Sequence, residues 1–239
     1  MFYRTLALAV LILATILNSC GQQEEKNDNP AQKQIDEYTK EAKDLTDTNS
    51  KETVISDSNF VVLPTDIVLG DPTSYVVVVE YFAPTCNHCA NYHKFIFPEL
   101  KAKYIDNKKI AYIFREFIGS KQDLDASILM RCKGDLDSYL KFSDVLLSKI
   151  DSWAYSKNYR EILTNIASLG GIAPETLVKC LDDQDKVKIL WDNTKIASKI
   201  PGFWGTPTFI INGKIFDGKY TVTEMSKVID ELFAKEKKP

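Results

Sequence analysis

The chain has 239 residues, of which 44% are hydrophobic and 26% are charged, and its formal net charge is −3 at pH 7. This length is sufficient for one sizeable hydrophobic core. The charge balance lacks the basic excess of nucleic-acid-binding chains, so we expect no nucleic-acid partner. Acidic side chains outnumber basic ones in residues 21–58, whereas residues 59–239 are nearly neutral. A nearly neutral folded part is not expected to select its partners through a strong electric field.

The N-terminus is typical of an export signal. Arg4 supplies a positive charge, and Thr5–Leu17 form an uncharged, largely apolar run that is too short to cross a membrane. The sequence therefore predicts a signal peptide over residues 1–19 and export to the periplasm.

A tether is predicted between the signal peptide and the folded domain. Residues 17–20 resemble a bacterial lipobox, in which Cys20 would become the lipidated first residue and hold the protein at a membrane. Asn18 fits that pattern poorly, and the alternative is an ordinary cleaved signal with an incidental cysteine. Residues 20–58 are polar and charged, which predicts a flexible linker, and the folded domain is expected over residues 59–239.

The folded domain begins with a predicted strand–helix–strand unit. Tyr75–Phe82 is a β-branched and aromatic run, typical of a central strand that is buried on both faces. Apolar residues four positions apart then predict a helix, which Pro98 should kink. Lys109–Ile118 predicts a second strand. The two strands should be parallel, because a helix connects them.

The remainder of the chain is predicted to be a helical insertion followed by a hairpin and a last helix. Asn212-Gly213 predicts a type I′ turn between two short strands, and the last helix should run from Thr221, capped through Glu224, to about Ala234. We predict an α/β, thioredoxin-like fold with a helical domain inserted at about residues 121–199. The predicted insertion helices are Leu124–Cys132, Tyr139–Ile150, Tyr159–Leu169, Pro174–Leu181 and Lys186–Ile200.

Two separated motifs carry the chemistry. Glu80–Cys89 places Cys86-Asn87-His88-Cys89 where the first strand turns into a helix, and Gly205–Gly213 reads Gly-Thr-Pro-Thr-Phe-Ile-Ile-Asn-Gly. A lone Cys-x-x-Cys is not specific, but the two motifs together resemble the DsbA family of thiol–disulfide oxidoreductases. The resemblance implies a redox-active Cys86–Cys89 disulfide and no cofactor. The family commonly has proline where Asn87 stands, which leaves the redox potential open.

Cys86 is the predicted nucleophile. It lies at a helix N-terminus, where free N–H groups and the helix dipole favour an anion and lower the pKa of a thiol. Cys89, one turn later, is placed to close a disulfide onto Cys86. The alternative is half of a zinc site, but the sequence lacks a second Cys-x-x-Cys or a His-x-x-x-His, so we expect no metal.

Three further ionisable side chains stand near the cysteines. His88 is predicted to stabilise the Cys86 thiolate through its imidazole, with a plain surface histidine as the alternative. Glu80 interrupts an apolar strand, and the resemblance implies that it lies behind the disulfide and helps proton transfer with Cys89. Its alternative is a carboxylate that reaches solvent past a strand edge. His93 is expected to be a polar residue on the helix surface, with a metal pair formed with Cys89 as the alternative.

Thr206 and Pro207 are the predicted substrate-binding residues. The resemblance implies a cis bond between them that faces the disulfide, so that the Thr206 backbone can bind an extended substrate by strand addition. Phe203 and Trp204 precede them and provide either an apolar rim for unfolded chains or core side chains. The sequence leaves both interpretations open.

Cys132 and Cys180 lie on separate predicted helices of the insertion. In an oxidising compartment a structural disulfide between them is favoured. The alternative is a pair of buried free thiols.

The function predicted from these residues is that of an exported dithiol oxidase. It would donate the Cys86–Cys89 disulfide to unfolded or reduced exported proteins, and a quinone-linked membrane partner would reoxidise it. One alternative is a periplasmic disulfide reductase or isomerase on the same fold. The other is a metal-binding lipoprotein that uses Cys86, His88 and Cys89, with or without His93.

Overall fold

The structure, a computed structural model, describes residues 62–236. The predicted signal peptide (1–19), Cys20 and the predicted linker (20–58) lie outside the described residues. Within residues 62–236, no helix has the length and apolar character needed to span a bilayer.

A five-stranded sheet forms the centre of the domain. Its order is β1-β3-β2-β4-β5. β2 and β3 are parallel, as predicted, whereas the β1–β3, β2–β4 and β4–β5 pairs are antiparallel. The strands are β1 (Ile67–Gly70), β2 (Val77–Phe82), β3 (Ala111–Glu116), β4 (Thr208–Ile211) and β5 (Lys214–Ile215).

In the structure, β2 and β3 are shorter than the apolar runs that predicted them. β2 begins at Val77 rather than Tyr75, and β3 does not include Lys109. The Ser74 hydroxyl accepts from the backbone N–H of Val76 at 3.2 Å and donates to the Lys109 carbonyl at 2.6 Å. These turn contacts fix the chain just before both strands begin.

The middle strand, β2, is buried on both faces. Val78 and Phe82 pack into the core on one face of the sheet. Val79 and Tyr81 pack into a separate core on the other face. Because side chains alternate along a strand, Glu80 lies on the same face as Val78 and Phe82.

The helix after β2 is interrupted where proline was expected to kink it. α1 spans Asn87–Phe95 and α2 spans Phe97–Leu100, and a π-helical turn follows at Lys101–Ile105. Pro98 lies in the first turn of α2, where its missing N–H breaks no helical hydrogen bond. The predicted kink is therefore a break between two helices.

The helical insertion lies between β3 and β4. Its helices are α3 (Lys121–Arg131), α4 (Leu136–Ser148), α5 (Ile150–Trp153), α6 (Tyr159–Leu169), α7 (Pro174–Leu181) and α8 (Gln184–Ser198).

Three insertion helices begin two or three residues before the predicted positions. Ser120, Asp135 and Asp183 cap α3, α4 and α8 by accepting backbone hydrogen bonds with their side chains. Apolar periodicity detects the buried face of a helix and misses a polar first turn. The predicted α4 also runs too far, because Ile150 starts the separate helix α5.

The C-terminal elements follow the sequence pattern closely. Asn212 and Gly213 have φ values of 44° and 78° between β4 and β5, as a type I′ turn requires. α9 spans Val222–Glu236, and the Thr221 hydroxyl accepts from the backbone N–H of Glu224 at 3.3 Å. The helix continues past the predicted end at Ala234.

Candidate active site

Cys86 lies at the junction of β2 and α1, where it is the N-cap residue of the helix. Its Sγ accepts from the backbone N–H of Cys89 at 3.3 Å, and its thiol donates to the carbonyl oxygen of Thr206 at 3.1 Å. The Cys89 thiol, which donates to a Cys86 thiolate, is the main reason that the pKa of Cys86 falls to about 6. The Thr206 side chain and the backbone N–H groups of Cys89 and His88 lower this pKa further, while partial burial opposes them. A large fraction of Cys86 is therefore thiolate at neutral pH.

Cys89 differs sharply from Cys86. It is fully buried, and the two sulfurs are not bonded to one another in the structure. Burial raises the pKa of the Cys89 thiol well above its usual range, and so do its hydrogen bond to Cys86 and the negative charges of Cys86 and Glu80. The site thus combines a partly exposed, readily ionised thiol with a buried thiol that holds its proton.

Glu80 is completely buried in β2, six residues before Cys86. Its Oε2 accepts from the Tyr112 hydroxyl at 2.7 Å, and its Oε1 lies 2.9 Å from Nε2 of His93. The alternative interpretation, a carboxylate that reaches solvent past a strand edge, is therefore wrong. The negative charge of Glu80 contributes to the raised pKa of Cys89.

The prediction that His93 is a polar residue on the helix surface is wrong. Its side chain is only 12% exposed, and its ring centroid lies 5.0 Å from that of Phe97 and 5.5 Å from that of Phe114. Residues four apart share one face of a helix, so Cys89 and His93 both face the sheet and Glu80. The sequence contained the spacing, but it did not show that this face packs against β2.

His88 is exposed and lines a groove beside the active site. Its backbone N–H helps to lower the pKa of Cys86. Stabilisation of the thiolate by the imidazole itself stays a prediction.

The loop before β4 supplies the other wall of the groove. The Thr206–Pro207 peptide bond is cis, and the Thr206 carbonyl is the one that contacts Cys86. The groove has a volume of about 710 Å³. Trp204 lines it and is 95% exposed, whereas Phe203 packs edge-on against Tyr81 with ring centroids 5.8 Å apart. Of the two readings left open, Trp204 therefore fits the apolar rim and Phe203 the core.

Cys132 and Cys180 form a disulfide that closes a loop of the insertion. Their Cα atoms are 5.6 Å apart, and 48 positions separate them in sequence. The bond joins the end of α3 to α7 and does not involve Cys86 or Cys89.

Asp123 was not singled out from the sequence. It is buried, and its Oδ1 accepts from the backbone N–H and the hydroxyl of Thr85 at 3.0 and 2.8 Å. Its Oδ2 accepts from the Ser120 hydroxyl at 2.8 Å, and burial raises the pKa of this carboxyl group. Its position three residues after Ser120 suits a capped helix start, which was not predicted from the sequence, and nothing in the sequence pointed to a contact with the residue before Cys86.

Tyr155 is a second residue that sequence reasoning missed. The residue is 66% exposed, and its hydroxyl donates to the Thr85 carbonyl at 3.0 Å. The Asn87 side chain donates to that hydroxyl at 3.3 Å. The helical insertion therefore contacts the two residues that flank Cys86 in the sequence, Thr85 and Asn87.

The metal-binding alternative calls for a cluster of ligands. Among the residues that the structure describes, no three His, Cys, Asp or Glu side chains are grouped so that they could hold a metal ion. His93, its suggested additional ligand, is hydrogen-bonded to Glu80 instead.

Similarity to known proteins extends over most of the described residues. The family model described as Thioredoxin matches residues 62–231. A protein of Rickettsia prowazekii named "Putative protein-disulfide oxidoreductase" is 51% identical over 179 residues, which cover 75% of this chain and 65% of that protein. A Rickettsia bellii protein of the same name is 51% identical over 178 residues, covering 74% of this chain and 68% of its own length. The chain thus spans about two thirds of the length of these relatives.

Solved structures of DsbA-type proteins also resemble this chain. Wolbachia pipientis alpha-DsbA1 is 30% identical with a TM-score of 0.67, and the match covers 73% of this chain and 94% of that one. BdbD from Bacillus subtilis, at 23% identity, shares the fold with a TM-score of 0.65 over 74% of this chain and 97% of its own. The chain therefore belongs to the DsbA family within the thioredoxin superfamily.

Proposed function

We propose that this protein oxidises pairs of thiols in exported proteins by thiol–disulfide exchange. The asymmetry of its two thiols carries the proposal: the pKa of Cys86 is about 6, while that of the buried Cys89 is raised. A thiol with a low pKa is a good leaving group in a mixed disulfide. Departure of Cys86 from a mixed disulfide favours transfer of the disulfide from the enzyme to its substrate.

The proposed reaction begins with the oxidised Cys86–Cys89 pair. A substrate thiolate attacks Cys86 Sγ, the bond to Cys89 breaks, and Cys89 leaves as a thiolate that takes up a proton. A second substrate thiolate then attacks the substrate sulfur of the mixed disulfide, and Cys86 leaves as a thiolate. Two electrons have passed from the substrate thiols to the enzyme, and the substrate holds a new disulfide.

The groove beside Cys86 suits an extended, unfolded chain. Thr206 and Pro207 line it, and Trp204 offers an exposed apolar ring at its edge. An extended substrate would place its cysteine at Cys86 and pair its backbone with the Thr206 segment. We therefore propose unfolded or reduced proteins as substrates, bound through backbone and apolar contacts.

The proposed location is the periplasm, with a lipid on Cys20 as the tether and a quinone-linked membrane protein as the reoxidase. The apolar run of the predicted signal peptide supports export. Intact-mass analysis of the mature protein should give a chain that starts at Cys20 and carries acyl groups. A mature chain that starts elsewhere without acyl groups would contradict the tether and leave the enzymatic proposal unaffected.

Oxidation of a reduced two-cysteine peptide by the purified, oxidised protein tests the function. We expect stoichiometric formation of the peptide disulfide together with the reduced enzyme, and no oxidation by Cys86→Ser. The Bacillus subtilis protein named "Disulfide bond formation protein D", which is 26% identical over 168 residues, supports oxidation of the substrate rather than its reduction. If the protein reduces insulin readily but leaves the peptide reduced, a reductase replaces the proposed oxidase.

A further inference from the structure

The exchange reaction requires a proton to enter and leave a buried site. Cys89 changes between disulfide, thiolate and thiol during each cycle, yet it is fully buried. Glu80, whose charge acts on Cys89, is fully buried as well. A proton exchanged between these two groups must therefore reach solvent through a third group.

One hydrogen-bonded branch from Glu80 ends inside the core. The Tyr112 hydroxyl donates its one proton to Glu80 and therefore accepts from the hydroxyl of Tyr92 at 3.2 Å, and Sδ of Met225 lies 3.8 Å from that second hydroxyl. Both tyrosines are buried, and burial together with the Glu80 charge raises the pKa of each phenol well above its usual range. This branch therefore holds the carboxylate in place but does not exchange protons with water at neutral pH.

The other branch reaches the surface through His93. Its Nε2 lies 2.9 Å from Glu80 Oε1, and its side chain is 12% exposed, whereas Tyr112 has no exposed surface. The aromatic rings of Phe97 and Phe114 fix the imidazole in this position. Imidazole is the side chain best suited to accept and release protons near neutral pH.

We propose that His93 is a positioning and proton-relay residue that connects Glu80, and through it Cys89, to solvent. The inference rests on the proposed thiol–disulfide chemistry. When a mixed disulfide at Cys86 closes, Glu80 takes the Cys89 proton, the Cys89 thiolate attacks Cys86 Sγ, and the partner leaves as a thiolate. The proton passes from Glu80 through His93 to water. In substrate oxidation the Cys89 thiolate is protonated by the same route in reverse.

Several ionisable groups surround this relay. Glu80 faces His93 from β2 and Tyr112 faces the carboxylate from β3, while Cys89 and Tyr92 share α1 with His93. The negative charge of Glu80 also contributes to the raised pKa of Tyr139 in α4. The Tyr139 hydroxyl donates to Glu116, and Glu116 forms an ion pair with Arg131. The Arg131 charge is therefore engaged by Glu116, and among these groups the imidazole of His93 is the one that both contacts Glu80 and reaches water.

Rapid-quench kinetics of the reduced protein with glutathione disulfide test the relay. Mass spectrometry separates the reduced, glutathionylated and closed disulfide forms, so the attack by Cys86 and the closure by Cys89 are measured in one experiment at several pH values. In His93→Gln, whose amide can still hydrogen-bond to Glu80, closure should slow by about tenfold or more, because proton-transfer catalysis typically contributes about 10²–10⁴-fold. The pH dependence of closure should change, while the rate of glutathionylation should stay the same.

A second variant and a matched control keep the test decisive. His93→Ala should close slowly and be accelerated by added imidazole, a rescue that a purely structural role does not predict. Lys94→Gln removes an exposed basic side chain from the same turn of α1 and should behave like the unaltered protein. Closure at the normal rate in His93→Gln, or a lack of rescue by imidazole in His93→Ala, would overturn the relay. Failure of the unaltered protein to become glutathionylated would instead refute the proposed function, and the relay with it.

Discussion

Lowering the pH from about 7 to about 5 should remove the extra stability that the Cys86 thiolate gives to the reduced protein. The pKa of Cys86 is about 6 in the folded protein, against about 8.5 for a cysteine in an unfolded chain. A lowered pKa contributes stability that is full above the unfolded value and is lost as the pH falls through the folded value. The oxidised protein has no thiolate and should not show this loss.

The magnitude follows from the two pKa values. A fall from about 8.5 to about 6 corresponds to about 3.4 kcal/mol at full ionisation. At about pH 7 the unfolded thiol is still mostly protonated, so less than half of this stabilisation is present. Because Cys86 is only partly buried, screening by water reduces the remainder to about 1 kcal/mol, equivalent to roughly 20 mV in the reduction potential.

Denaturant unfolding of the reduced and oxidised forms at both pH values provides the assay. The free energy of unfolding of the reduced form, taken relative to that of the oxidised form, should fall by about 1 kcal/mol on acidification. The measurements should stay below about pH 8, because the raised pKa of Cys89 destabilises the reduced form in alkali. A difference that does not change between the two pH values would refute the reasoning.

A variant identifies the main cause of the low Cys86 pKa. Cys89→Ala removes the thiol that contributes most to it but keeps the helix N-terminus and the backbone N–H groups. We expect the Cys86 pKa to rise toward about 8.5, measured by the ultraviolet absorbance of the thiolate. A His88→Ala variant keeps its backbone N–H, so any rise that it causes reports the imidazole. An unaltered Cys86 pKa in Cys89→Ala would contradict the assignment.

The other predictions concern the two disulfide pairs and the contact with the insertion. Cys89→Ser should accumulate mixed disulfides with substrate proteins on non-reducing gels, whereas Cys86→Ser should trap none; equal trapping would reverse the roles. Replacing Cys132 and Cys180 by serine should lower the free energy of unfolding by about 2–4 kcal/mol and leave the oxidation rate largely unchanged, so an unchanged unfolding midpoint would contradict a structural bond. Asp123→Ala should destabilise the protein by about 1–3 kcal/mol, because it leaves the backbone N–H groups of Thr85, beside Cys86, and of Gly119, before α3, unpaired. It should also slow alkylation of the reactive cysteine more than Asp123→Asn does; equal alkylation rates would show that the contact does not position the thiol.

The sequence was sufficient to predict the elements whose determinants are local. The apolar run ending at Phe82 predicted a central strand, and Asn212-Gly213 predicted the hairpin turn that the structure has. Both depend on neighbouring residues and the strand period. The starts of α3, α4 and α8 were missed for an equally local reason, since polar caps extend a helix beyond its apolar face.

The contacts that the sequence did not predict join separate elements. His93 meets Glu80 only because α1 packs on β2 with one particular rotation about its axis. Asp123 and Tyr155 reach Thr85 because of the way the insertion packs beside the active-site loop, over separations of 38 and 70 residues. Periodicity shows which face of an element is buried, but not which side chain of another element it meets.

The redox equilibrium of the Cys86–Cys89 pair with glutathione tests the central claim most directly. The disulfide of the proposed oxidase should be reduced more readily than those of glutaredoxins, because the Cys86 thiolate stabilises the reduced form. We predict a reduction potential above about −200 mV at neutral pH. A value near about −270 mV, in the range of thioredoxin, would contradict the account and indicate a reductase.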